Sequence, residues 1–285
     1  MPSHIFTRVG AWEDSAATNL RAFSAAVKGN EPGEALHATD YAVYGYLQLG
    51  RDKAAATAMD NALALKLTPP YAGPIPYPSA SMPARMAVER GDWAAAAKLE
   101  PPKSALPYTA AITWFARALG AARLGDVETA RRNAAELEPL HKALTDVKNT
   151  YWALEVEVQQ HAAAGWIALA QHKPDEALML MRQAADQEDS HEKHIVTPGR
   201  ILPARELLGD MLLEVGQPAL ALQAYEASQQ REPNRLRGYD GAARAAKASG
   251  DMEKAKLFDA KLLDLTKNAD SPRPGVMQAN EDGRK

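Results

Sequence analysis

Small and apolar side chains recur with helical spacing along most of the chain, in segments that short polar turns separate. Alanine dominates many of these segments, for example 94–97 and 242–246, and alanine is the best helix former. Few runs of β-branched residues alternate with polar residues, which is the pattern that strands require. The pattern therefore predicts an all-α protein.

A short turn signature recurs between these segments and predicts helical hairpins. Each turn centres on a glycine, except one that has a histidine in its place. Glycine ends a helix in a left-handed conformation at no steric cost, and a second helix then packs back on the first. Two of the spacings, Gly91 to Gly125 and Gly216 to Gly250, are 34 residues. The turn positions are Gly10, Gly50, Gly91, Gly125, His172, Gly216 and Gly250.

A small residue follows each turn after five positions, where the two helices of a hairpin come closest. Only a small side chain leaves room for such an approach in a close-packed interior. The recurrence in every register predicts a close helix contact in each hairpin. The small residues are Ser15, Ala55, Ala96, Ala130, Ala177, Ala221 and Ala255.

The unit 202–233 resembles a tetratricopeptide repeat, a helical hairpin with a period of 34 residues. Its Leu208, Ala221 and Tyr225 fall on or near consensus positions of that repeat. Nearly the whole chain resembles a bacterial family of uncharacterised tetratricopeptide-repeat (TPR) proteins, most specifically in the string 202–214. The resemblance implies a right-handed superhelical solenoid of about seven TPR-like hairpins over residues 1–267.

The first hairpin is truncated in this register, because Gly10 stands at the fifteenth position of its unit and Met1 at the sixth. Members of the family carry further repeats ahead of the methionine that matches Met1, so the resemblance implies a C-terminal portion of such a protein. Ile5 and Val9 would be only half covered at this edge. Either a preceding segment covers them, or the edge associates with a second copy as a homodimer.

Extra residues interrupt the period at four places, and the chain ends in a polar tail. In solenoid proteins, insertions concentrate on the surface that binds ligands. The tail from 268 to 285 is rich in proline and charge, so we expect it to be disordered or loosely attached. The four insertions span 67–81, 98–108, 139–147 and 187–203.

Composition excludes several functional classes. The formal net charge is −3 with a pI near 6.2, so no global field recruits nucleic acid or an anionic membrane. The absence of cysteine excludes thiolate chemistry and leaves the compartment open. No apolar run approaches the length of a membrane span. We expect a soluble protein of the bacterial cytoplasm or periplasm.

The first helix of each hairpin would face a concave groove with one row of side chains, here called the inward stripe. Polar and aromatic residues on this stripe are the candidate contacts for a peptide or protein partner or a small ligand. The predicted ligand-binding residues are Arg85, Trp166, Glu206, Asp210, Arg237, Asp240 and Arg244.

The last two hairpins carry most of these charges, and two interpretations stay open. The charges could form a ladder of salt bridges that fixes the orientation of the repeats. Alternatively, Arg237 and Arg244 could form a fork that holds a ligand carboxylate. The residues differ from the dicarboxylate clamp of chaperone-binding TPR domains, since the sixth position of each hairpin lacks lysine, arginine and asparagine.

A second cluster suggests metal chemistry. His4, His37 and Asp40 could converge from adjacent helices, since His37 and Asp40 share a face at i, i+3. Two imidazoles and a carboxylate suit zinc or another divalent cation. The alternative is a structural role, in which each histidine only makes a hydrogen bond between helices.

No catalytic signature accompanies these clusters. The sequence has no serine elbow, phosphate-binding loop or dinucleotide fingerprint. We therefore expect a non-catalytic TPR scaffold without a cofactor that binds its partner in the groove. The alternative is a metal-binding protein or metal-assisted enzyme that uses His4, His37 and Asp40.

Overall fold

The computed structural model describes residues 2–65, 76–100 and 106–283, and over these residues the protein is all-α. They form sixteen helices and no strand, which confirms the predicted fold class. The helices are α1 (Pro2–Arg8), α2 (Trp12–Lys28), α3 (Pro32–Gln48), α4 (Asp52–Leu63), α5 (Pro76–Val88), α6 (Trp93–Ala97), α7 (Pro107–Arg123), α8 (Val127–Ala135), α9 (Leu137–Asp146), α10 (Thr150–Ala170), α11 (Pro174–Asp189), α12 (Ala204–Glu214), α13 (Pro218–Arg231), α14 (Leu236–Ser249), α15 (Met252–Leu265) and α16 (Pro274–Asp282).

The predicted turns join the helices in pairs. All six glycines have φ between 66° and 84°, and His172 has φ 61° in the same role. In this left-handed region a β-carbon meets the following carbonyl, so glycine is the natural choice. The turns connect α1 with α2, α3 with α4, α5 with α6, α7 with α8, α10 with α11, α12 with α13 and α14 with α15.

The seven small residues after the turns are all buried, none of them more than 1% exposed. Backbones come close beside them. A Cβ on Gly120 of α7 would lie 2.9 Å from the Cβ of Ala96, and one on Gly165 of α10 would lie 3.1 Å from the Ala177 carbonyl oxygen. In the first pair, the hydroxyls of Thr7 and Ser15 hydrogen-bond at 2.7 Å. The predicted close contacts are confirmed.

Helices from the two ends of the chain touch. The indole N–H of Trp12 in α2 donates to the Asn234 carbonyl at 2.6 Å. The Leu236 N–H at the start of α14 donates to the side-chain oxygen of Gln48 in α3 at 3.0 Å. A Cβ on Gly10 would collide with the Pro233 carbonyl, so the first turn needs glycine for this approach as well. The helix pairs are therefore curled until α2 meets the turn before α14 and α3 meets α14 itself.

The fourth insertion fills much of the space that this curvature encloses. Helix α11 continues to Asp189, and residues 191–203, here called the crossing segment, have no helix. Arg8 donates to the carbonyls of Lys193 and His194 at 3.0 and 3.1 Å. The predicted groove is therefore not open here, because the backbone of the crossing segment lies against α1 and α5.

The tail differs from the prediction. Asp270 and Arg273 bind α4, and the following helix α16 packs against α15. Arg273 makes two hydrogen bonds to the carboxylate of Asp52, at 2.8 and 2.7 Å. Asp270 accepts from the N–H groups of Lys53 and Ala54, which the first turn of α4 leaves without partners. These charge-assisted bonds fix a segment whose composition indicated disorder.

Of the other three insertions, one is mostly helical and two lie partly outside the described residues. The predicted insertion 139–147 falls mostly within α9, which buries Leu137 and Leu144. The insertions 67–81 and 98–108 include residues 67–75 and 101–105, which lie outside the described residues. At the N-terminal edge, Ile5 is 63% exposed and Val9 55% exposed. No helix among the described residues is long and apolar enough to cross a membrane.

Candidate functional site

Four of the predicted ligand-binding residues come together on α12 and α14. Asp210 accepts from Arg237 at 2.5 Å and lies 3.5 Å from Arg244. Arg244 also lies 3.8 Å from Asp240, one helical turn earlier on the same helix. The regular spacing of these two hairpins places the four side chains on facing stripes, as the sequence predicts. They form one wall of a cleft of about 460 Å³.

The opposite wall comes from a distant part of the chain. Gly91 in the turn before α6, Trp93 at the start of α6 and Arg123 at the end of α7 face the α12–α14 wall. Arg123 hydrogen-bonds to Glu214 of α12 across the cleft. Sequence reasoning missed Trp93, Arg123 and Glu214, since only the curvature of the whole chain brings residues 91–123 to residues 210–248.

Aromatic rings fix two of the arginines. The guanidinium of Arg123 lies 4.1 Å from the ring centre of Trp166 and 5.1 Å from that of Trp93. The guanidinium of Arg237 lies 5.8 Å from the ring centre of Trp93. Trp166, a predicted ligand contact, is buried beneath Arg123, so it supports the cleft from below.

The charges of the cleft balance, but its hydrogen bonds do not. Three guanidinium groups face three carboxylates. The Nε–H groups of Arg123 and Arg237 are buried, and neither has a hydrogen-bond partner in the part of the chain that the structure describes. Burial raises the pKa of Asp240, against the opposing effect of Arg244 and Arg237. Both unpaired donors are buried, so a ligand in the cleft would not contact them. The charged residues are Arg123, Arg237, Arg244, Asp210, Glu214 and Asp240.

Arg85 is placed differently from the prediction. Its side chain is fully buried and donates to the carbonyls of Gly199 and Arg200, at 2.6 and 2.7 Å. Its Nε lies 3.6 Å from the carboxylate of Asp40. Arg85 thus holds the crossing segment, and no face of it is open to a ligand.

Glu206 is also internal. It accepts two hydrogen bonds from Arg235, at 2.7 and 3.0 Å. Arg235 in turn lies 2.9 Å from Glu89 and donates to the Tyr44 hydroxyl at 2.5 Å. Burial raises the pKa of Glu206, while Arg235 opposes this effect. Glu206 therefore belongs to a buried network that joins α3, α5 and α12 to the start of α14, and it has no access to the cleft.

The predicted metal ligands do not converge as a trio. The Nε2 atoms of His4 and His37 are 3.2 Å apart. Asp40, however, turns inward towards Arg85, and burial raises its pKa to about 6. Among the described residues, no group of three or more histidines, aspartates and glutamates is placed to hold a metal ion. Burial lowers the pKa of both His4 and His37, which favours the neutral imidazoles that bind metals.

Comparison with known proteins adds no family to this description. The sequence matches no protein-family model and no curated protein. Function must therefore be inferred from the chain's own residues.

Proposed function

We propose that the chain is a TPR-like α-solenoid that acts as a non-catalytic scaffold and binds a peptide, a protein or a small ligand in the charged cleft. Support for the repeat type comes from seven helix pairs, each with a left-handed turn followed after five positions by a buried small residue. Neighbouring pairs pack in chain order, which is the construction principle of a solenoid.

One observation carries the binding function: three arginines surround a cleft of about 460 Å³. Ligand sites of about 300–1,000 Å³ with a few convergent polar groups are the usual size for small molecules and peptide side chains. Arg244 is 52% exposed and its ion pairs are long, at 3.5 and 3.8 Å. Its guanidinium is therefore available to a partner without breaking the fold.

Capture of partners from an extract of the source cells tests this function. The test compares the native chain with Arg244→Glu. The matched control is Arg132→Glu, since Arg132 is also exposed and also pairs with an acid one turn earlier, Glu128. We expect the native chain and the control to capture the same partner and Arg244→Glu to lose it. Equal capture by all three proteins, or no partner at all, would contradict binding in the cleft.

The contact between His4 and His37 favours a second candidate, a divalent metal site. Two histidine ligands of one zinc ion, each at about 2.0–2.1 Å in a tetrahedral site, have nitrogens about 3.3 Å apart. The observed separation of 3.2 Å fits that geometry. Elemental analysis after dialysis against zinc tests it, with His37→Ala as the variant and His141→Ala as the control. Zinc bound equally by both variants, or by neither variant nor the native chain, would reject the candidate.

A further inference from the structure

Glu214 is the most exposed carboxylate of the cleft. Its side chain is 45% exposed, and its ion pair is with Arg123. Asp210, by contrast, pairs with two arginines and accepts from the Tyr225 hydroxyl at 2.6 Å. An ion pair with an exposed carboxylate adds little to stability. Glu214 can therefore leave its partner at little cost.

Arg123 keeps its position without Glu214. Its guanidinium lies against the rings of Trp93 and Trp166, and such cation–π contacts persist whatever the partner carboxylate does. Its Nη1 donates to the carboxylate of Glu214. When Glu214 moves away, a fixed guanidinium with a free Nη1 donor remains at the edge of the cleft.

The charge balance and the lining then define the ligand. Asp210 and Asp240 continue to neutralise Arg237 and Arg244, so the departure of Glu214 leaves a single uncompensated positive charge. Beside it, the ring of Trp93 and the side chain of Leu213 line the cleft. A ligand that fits both features has one negative charge and an apolar body.

We propose that a ligand carboxylate exchanges for Glu214 on Arg123, and that the cleft is a site for small, singly charged organic acids with an apolar body. Guanidinium groups bind carboxylates through charge-assisted hydrogen bonds, and Nη1 of Arg123 already donates to one carboxylate oxygen. The inference rests on the proposed binding function of the cleft and specifies its ligand. Glu214 acts as an internal competitor that keeps the site closed to weaker anions.

The experiment is an NMR titration of the full chain with 3-phenylpropionate, followed through the indole N–H signal of Trp93. Glu214→Gln removes the competitor, so we expect it to bind about two- to fivefold more tightly than the native chain. Arg123→Gln should bind at least about tenfold more weakly, since it removes the charge-assisted bonds. Glu128→Gln is the control for Glu214→Gln and should match the native chain.

Further probes test the ligand class. The neutral analogue 3-phenylpropanol, inorganic phosphate and a tetraglutamate peptide should each bind more weakly than 3-phenylpropionate. Tighter binding of any of them, or Glu214→Gln that binds no better than the native chain, would overturn the inference. If partner capture still depends on Arg244 in that case, the scaffold function stands and only the ligand class is wrong.

Discussion

The guanidinium groups of Arg85 and Arg235 lie fully buried and neutralise carboxylates deep in the protein. A buried charge is expensive to leave unpaired, and Arg235 alone serves both Glu89 and Glu206. The sequence gives no signal for this role, since Arg235 follows a proline turn and looks like a solvated charge. Its function as the centre of a network depends on groups from α5 and α12 that are far away in the chain.

Replacement of Arg235 tests that network. Arg235→Met leaves two carboxylates without their partner, and we expect a loss of about 3–5 kcal/mol in the free energy of unfolding, measured with urea. Arg231→Met is the control, since Arg231 is half exposed and pairs with Asp189 at the surface. A loss no larger than that of the control would contradict the network.

Glu188 makes stability depend on pH. Burial raises its pKa to about 8, although Arg200 opposes the shift. The folded state therefore holds this proton more tightly than the unfolded state, so the contribution of Glu188 to stability falls as pH rises from about 4.5 towards 8. Glu188→Gln removes the titration and keeps an oxygen that can accept from the Ala204 N–H.

Comparison of the native chain with Glu188→Gln gives the direction of this pH dependence directly. Urea unfolding at pH 5 and pH 8 should show Glu188→Gln gaining stability relative to the native chain as the pH rises. A difference that stays constant, or moves in the opposite direction, would show that Glu188 is ionised throughout this range.

Helices and turns could be predicted from the sequence because their signals are local. A left-handed turn needs glycine or a tolerant residue such as His172, and a close helix contact needs a small residue at a fixed distance from it. The crossing segment and the tail could not be predicted in this way. Arg273 and Asp270 are polar residues in a proline-rich stretch, and their partners on α4 lie more than two hundred positions earlier.

The contact within a helix pair can be tested at Ala221. Ala221 of α13 is fully buried, so Ala221→Leu adds methylenes where there is no space and should cost about 1–3 kcal/mol of stability. Ala219→Leu is the control, because Ala219 is exposed on the same helix and gains the same side chain. Stability is measured as the melting temperature. Equal melting temperatures of the native chain and both variants would contradict the assigned register.

The curvature of the whole molecule decides which charges meet. The register of each helix determines which side chains lie on its inward stripe. This register correctly predicts that Asp210, Arg237, Asp240 and Arg244 lie together. The opposite wall depends on how far seven helix pairs curl, which their packing and the tail determine. Arg273 fastens the tail to α4 and so helps to hold the two ends of the chain in contact.

A spin label across the cleft tests this closure most directly. The chain has no cysteine, so Ala248→Cys, at an exposed position that lines the cleft on α14, carries the only label. Trp93→Phe assigns the indole N–H signal of Trp93 on the opposite wall. The closed arrangement predicts strong paramagnetic broadening of that signal, with recovery when the label is reduced. Undiminished intensity of the Trp93 signal would show that the two walls do not face each other and that the cleft does not exist.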